Sequence, residues 1–225
     1  MRMRGIFVLG TDTGVGKTAV ACAIARAVRS RGLRVRAVKP VATGSAPGRH
    51  PDILDLAEAS HQVYTEISCW EGIAATAPSL ASRLEDKTLD ISEIVSRIRS
   101  MDSGSPFFVI EGAGGVLCPL GRGVAVADLA GALGLPCVLV ARRCLGTLNH
   151  ILLSLEACAS RGLRVAGIVM NAVKPALDLA SREAAAEIRR LCDAPVIGEV
   201  GFGEDHGAAL AEVAWERLAS ETEGE

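Results

Sequence analysis

The sequence predicts a doubly wound α/β fold, a mostly parallel sheet with helices on both faces in three layers. Short β-branched, apolar runs recur without polar alternation, as in strands covered on both sides. Ala- or Leu-rich helical stretches separate those runs in repeated strand–helix order. The size agrees: 225 residues, 49% hydrophobic and 22% charged, suit one α/β domain over 1–225 with a substantial core.

Element by element, Ile6-Phe7-Val8-Leu9 reads as the first strand and 19–28 as the first helix. Residues 34–39 read as the second strand, 41–51 as a loop, and a helix starts at Asp52. A polar, less regular region covers 61–78, followed by short helices near 79–84 and 92–99. Phe107-Phe108-Val109-Ile110 is a buried strand ending at Glu111, and 137–140 and 165–169 are two more. Helices follow these two at about 147–160 and 177–191. The last strand is 196–200, the closing helix 208–218, and 221–225 a frayed tail.

Between the first strand and helix stands Gly10 to Thr18, GTDTGVGKT. A glycine-rich turn opening a helix aims backbone N–H groups and a positive helix end at one spot, which suits a polyphosphate. The cradle comprises Thr13, Gly14, Val15, Gly16, Lys17 and Thr18. Lys17 reaches the β- and γ-phosphates, and the Thr18 hydroxyl suits the Mg²⁺ that accompanies them. Thr11 stands where the usual pattern G-x-x-x-x-G-K-[ST] has its first glycine, so this is a lengthened P-loop with Gly10 one residue further out. The fold is therefore of P-loop nucleoside triphosphatase type.

In such sheets ligands bind beyond the carboxyl ends of the strands, and polar residues collect there. Lys39 precedes Pro40, which biases it to extended backbone; it reads either as a cation for a transferring phosphoryl group or as a surface lysine. Glu111, followed by Gly112, Ala113 and Gly114, is placed like a Walker B acid, with a water-exposed strand terminus as the alternative. Asp52 reads as a helix N-cap or as an oxygen ligand for Mg²⁺. Asn171 suits an adenine edge or a turn. Thr147 reads as an N-cap, or as a helix start offering N–H groups to a carboxylate.

Composition excludes other classes. Net charge is -2 at pH 7, which argues against a bulk electrostatic grip on nucleic acid. No apolar run reaches the ~20 residues of a membrane helix, and no secretory apolar region precedes the first strand. Seven cysteines show no C-x-x-C; Cys22, Cys137 and Cys158 lie in apolar surroundings as reduced thiols, so the expected compartment is the cytoplasm.

GTDTGVGKT, KPVATG and EGAGG occur in the order and approximate spacing of dethiobiotin synthetases, which the chain resembles from about residue 5 to 200. The resemblance implies a homodimeric ligase that uses MgATP and CO₂ to close a cyclic urea on 7,8-diaminononanoate. It implies a carbamate and a carbamic-phosphoric anhydride as intermediates. Lys17 and Lys39 resemble the catalytic lysines; Thr18, Asp52 and Glu111 the Mg²⁺ ligands; Asn171 the adenine reader. Thr43, Thr13 and Gly114 fall on the substrate side, and Thr147 and Asn149 at the helix start that receives the substrate carboxylate across the dimer. Ser79 stands where relatives carry His, and Gly201 where they carry Pro. The alternative is another P-loop protein, an amidotransferase-type ligase domain or a partitioning ATPase. The latter's additional early loop lysine is missing between Gly10 and Gly16.

Overall fold

The computed structural model describes residues 3–46, 48–104, 106–175 and 178–220. The frayed tail expected at 221–225, and residue 177 at the start of an expected helix, lie outside them. The elements are β1 (Arg4–Gly10), α1 (Lys17–Ser30), β2 (Val35–Thr43), α2 (Pro51–Ser60), β3 (Ser68–Gly72) and α3 (Pro78–Leu84). Then follow α4 (Ile91–Ser100), β4 (Phe107–Glu111), β5 (Pro119–Gly121), β6 (Val124–Ala125), α5 (Val126–Leu133) and β7 (Cys137–Arg142). The remainder is α6 (Thr147–Ala159), β8 (Val165–Asn171), α7 (Leu179–Leu191), β9 (Val196–Val200), α8 (His206–Ala209) and α9 (Trp215–Ser220).

Among the described residues seven strands form one sheet, in the order β3-β2-β4-β1-β7-β8-β9. All of its pairings are parallel. Alternation along each strand divides the core. Phe7, Leu9, Phe108, Ile110 and Leu139 point to one face, where Ile94, Leu129, Ile151 and Ile188 come from α4, α5, α6 and α7. Ile6, Val8, Val109 and Val140 point to the other, against Ile24 of α1, Leu56 of α2 and Trp215 of α9. Helices thus seal both faces, giving the three layers that the apolar, non-alternating strands require.

Three departures from the sequence expectation have physical causes. Strand β2 continues past Lys39 to Thr43, through Pro40. Lys39, Val41 and Thr43 pair with β3, whereas β2–β4 pairing ends at Val38. The missing N–H of Pro40 thus faces the side where no ladder remains. Strand β3, within the supposedly irregular 61–78 region, is an edge strand of sequence SCWEG with alternating burial. The expected closing helix at 208–218 is instead α8 and α9. Leu210 and Trp215 are both buried in one cluster; five residues apart on a continuous helix they would point roughly 140° apart. Breaking the helix lets both reach the same core.

Helix α5 and the small β5–β6 hairpin are additions. A short apolar run such as VADLAGAL does not distinguish helix from strand by periodicity. Asp128 nevertheless accepts the Ala125 backbone N–H at 2.7 Å and ties down the helix start.

Candidate active site at the carboxyl edge of the sheet

Strands β1, β2 and β4 deliver their carboxyl ends to one cleft of about 860 Å³. Strand β1 ends at Gly10, and the loop returns as α1, with Gly16 as N-cap at φ 96° and no side-chain cap. The first-turn N–H groups are therefore left for an anion. A Cβ on Gly16 would also run into the carboxamide nitrogen of Asn171, so glycine is required twice over. Lys17 is buried, and its ammonium donates to the Asp12 carbonyl at 2.9 Å. Burial, the largest influence, brings its pKa down to about 8. From the end of β7, Arg142 donates to Asp12 Oδ2 at 2.6 Å and to the Thr13 carbonyl at 3.3 Å, pinning the loop from the other side.

Lys39 is no surface lysine: it is 4% exposed. Its Nζ lies 2.6 Å from Glu111 Oε1 and 2.7 Å from Asp52 Oδ2. Burial alone would lower its pKa, but Glu111 and Asp52 outweigh burial and hold it above the ordinary lysine range. The same pairing takes Asp52 below the usual carboxylate range, against burial that would raise it. Glu111 is 1% exposed, which rules out a water-exposed strand terminus. Thr18 Oγ1 donates to its Oε1 at 2.9 Å, while its Oε2 is buried without a hydrogen-bond partner. Asp52 is not the N-cap of α2; His50 takes that position, leaving Asp52 in the first turn to face Lys39.

The donor set fits Mg²⁺. Thr18, Asp52 and Glu111 supply hard oxygen atoms, and the unpartnered Glu111 Oε2 is an acceptor that calls for a cation or donor. Among the described residues no group of three or more His, Cys, Asp or Glu side chains forms a metal cage.

Of the residues expected to hold cofactor, Val15, Gly112 and Asn171 lie behind the cleft wall, and the others line it. Val15 is in the core. A side chain on Gly112 would meet Val126 and Phe7. Asn171 is 4% exposed; its Nδ2 donates to the Val15 carbonyl at 2.9 Å and its Oδ1 accepts from His206 Nε2 at 3.1 Å. On the substrate side Thr43 lines the cleft and donates to the Thr76 carbonyl at 2.9 Å. Thr13 and Gly114 line it as well. Thr147 and Asn149 do not. Gly146, not Thr147, is the N-cap of α6; Thr147 follows it, buried, with its hydroxyl unpartnered. Asn149 is exposed on that helix. Ser79 sits in the first turn of α3, and the Gly201 N–H is bound by Glu204 Oε2 at 2.6 Å.

Residues missing from the sequence reading also stand here. His50 lines the cleft and donates from Nε2 to the Thr43 carbonyl at 3.1 Å. Its position directly before Pro51-Asp52 was the available signal. Cys118 lies under Gly114, where an added Cβ would come 2.8 Å from its sulfur, and burial raises its pKa. Nothing in a lone cysteine beyond the glycine run marks that contact.

A three-layer parallel sheet with a glycine-capped phosphate loop, a buried lysine and acids beside it defines a P-loop nucleotide-binding protein. The AAA domain family matches residues 4–208. The chain is 48% identical over 191 residues to ATP-dependent dethiobiotin synthetase BioD of Anaeromyxobacter dehalogenans (strain 2CP-1), covering 84% of this chain and 86% of that relative. It is 35% identical over 201 residues to the Bacillus subtilis (strain 168) enzyme of the same name, covering 87% and 86%. The chain belongs to the ATP-dependent dethiobiotin synthetase family.

Solved structures share the fold alone. MinD in the Aquifex aeolicus MinC:MinD cell division complex superposes with TM-score 0.59 at 16% identity, covering 97% of this chain and 96% of that one. Cobyrinic acid a,c-diamide synthase of Mycobacterium smegmatis, with bound ADP and magnesium, gives 0.55 at 16%, covering 93% and 91%.

Proposed function

We propose that this chain, acting as one nucleotide-binding domain, is a dethiobiotin synthetase. It would use MgATP and CO₂ to convert 7,8-diaminononanoate to dethiobiotin, ADP and phosphate. The observation that carries this reading is the convergence of Lys17, Lys39, Thr18, Asp52 and Glu111 at one cleft, in a chain of that family. Thr18, Asp52 and Glu111 would hold Mg²⁺, which when bound with nucleotide neutralises charge on the β- and γ-phosphates.

The protein's share is positioning and charge. First-turn N–H groups of α1 and Lys17 grip the triphosphate. A substrate amine takes up CO₂ as a carbamate, and its oxygen attacks the γ-phosphorus, displacing ADP, to give the mixed anhydride. Two anions must approach each other in that step, and the Lys39 ammonium offsets their repulsion. Because its neighbours hold it protonated, Lys39 acts as a fixed cation and not as a base. The second amine then attacks the activated carbonyl, closing the ring and releasing phosphate. Asn171 would read the adenine edge, and Thr43, Thr13 and Gly114 would face the diamine.

Thr147 and Asn149, outside the cleft, suit the substrate carboxylate of a second copy in a homodimer. The unpartnered, buried Thr147 hydroxyl supports this, as do Leu145, Leu152 and Leu153, which are 81%, 38% and 56% exposed beside it. Sedimentation should find a dimer at catalytic concentration; a fully active monomer would refute it. A cytoplasmic location accords with seven unpaired cysteines, and among the described residues no helix is long and apolar enough to cross a membrane.

Lys17→Ala tests the nucleotide half. We expect phosphoryl transfer to fall by ~10²–10³, the scale for removing a preorganised stabiliser of developing charge. Near-normal turnover at saturating ATP would show that this loop does not hold the triphosphate.

A further inference from the structure

Asn171 lies at the carboxyl end of β8, directly behind the phosphate loop. A carboxamide has two donor hydrogens and two acceptor lone pairs, and its ends differ only in which is nitrogen. Here the choice is made from both sides. The Val15 carbonyl can only accept, so the end facing it, 2.9 Å away, is the NH₂ group. The oxygen end then faces His206 Nε2 at 3.1 Å, and that nitrogen must carry the proton. Burial lowers the His206 pKa, which disfavours the charged ring, although Asp205 and Glu204 pull the other way. Asp205 fixes α8 in place by accepting the Ala208 N–H at 2.8 Å.

One donor and one lone pair of Asn171 remain after these contacts. That combination complements the N7 acceptor and 6-amino donor of adenine; guanine presents two acceptors on the same edge. Orientation matters equally for the loop. Gly16 has no side chain because Asn171 occupies that space, so a rotated or flipped amide would also disturb the α1 cap.

We propose that His206 is a positioning residue of the nucleotide site: by holding the Asn171 carboxamide it fixes both the loop backbone at Val15 and the amide edge left to read adenine. This rests on the nucleotide reading given above. His206 acts through Asn171 and touches no reacting atom.

The test is equilibrium binding of non-hydrolysable ATP and GTP analogues, with Mg²⁺, to the full chain and its variants, with kcat measured at saturating ATP. His206→Ala should weaken the ATP analogue by roughly threefold to tenfold, the scale of one hydrogen bond, and lower the ATP-over-GTP ratio by a similar factor. The loss should fall more heavily on the KM for ATP than on the turnover number. His206→Gln, which retains a donor, should recover most of the affinity and selectivity. In an Asn171→Ala background His206→Ala should cost nothing further.

Unchanged affinity and selectivity in His206→Ala would overturn the proposal. So would an equal loss in the Asn171→Ala background, because His206 would then act through general packing. If His206→Ala does not fold, His206→Leu fills the space without the donor and is judged by the same outcomes. A parent protein that binds neither analogue refutes the nucleotide reading itself, a result distinct from failure of His206 alone.

Discussion

Removing the Lys39 ammonium would leave Glu111 in the interior without its cation. Breaking one partner of such a pair costs ~3–5 kcal/mol, well above the cost of losing an exposed pair. Chemical denaturation of Lys39→Met without nucleotide should show a loss of that size, and adding Glu111→Gln should recover part of it. A loss below ~1 kcal/mol would mean that the pair is solvated and contributes as a surface ion pair does. The residue types at the strand ends made Lys17, Lys39, Asp52 and Glu111 legible in the sequence. Their mutual contacts were not, because Lys39 meets Asp52 and Glu111 across 13 and 72 positions of chain. The same limit hid His206, whose partner Asn171 lies 35 residues away.

At the level of elements, caps predict how acid acts on the fold. The Asp90 carboxylate accepts the Ser92 hydroxyl at 2.6 Å, with the Ser92 and Glu93 backbone N–H groups at 2.7 and 3.3 Å, at the start of α4. The Ser92 side-chain bond chiefly, then the two backbone bonds, lower its pKa. A depressed carboxylate stabilises the fold above its unfolded pKa of ~3.9, and that contribution disappears as pH falls through the folded value. Thermal unfolding of wild type and Asp90→Ala should therefore differ at pH 7 and converge below about pH 4. A gap that stays constant into strong acid would contradict this role. Strands with continuous apolar runs, such as β1, β4 and β7, were legible because burial on both faces marks their composition. Edge strand β3 and the split α8–α9 were not. The first is a short mixture of Ser, Cys, Trp, Glu and Gly, and the second is broken by tertiary packing of Leu210 and Trp215.

For the molecule as a whole, the layered sheet places the phosphate loop, Lys39 and the acids at one edge, and the central claim is that this edge couples ATP to ring closure. The fold does not decide that coupling, since MinD shares the architecture at 16% identity. It lies in the site residues and in family membership. The decisive measurement is phosphate release by the purified chain with MgATP, with and without 7,8-diaminononanoate and bicarbonate, with dethiobiotin quantified in the same samples. The account predicts phosphate release only when both are present, one phosphate per dethiobiotin, and loss of both products together in Lys17→Ala. ATP turnover that ignores the diamine, or phosphate released without a cyclic urea, would contradict it.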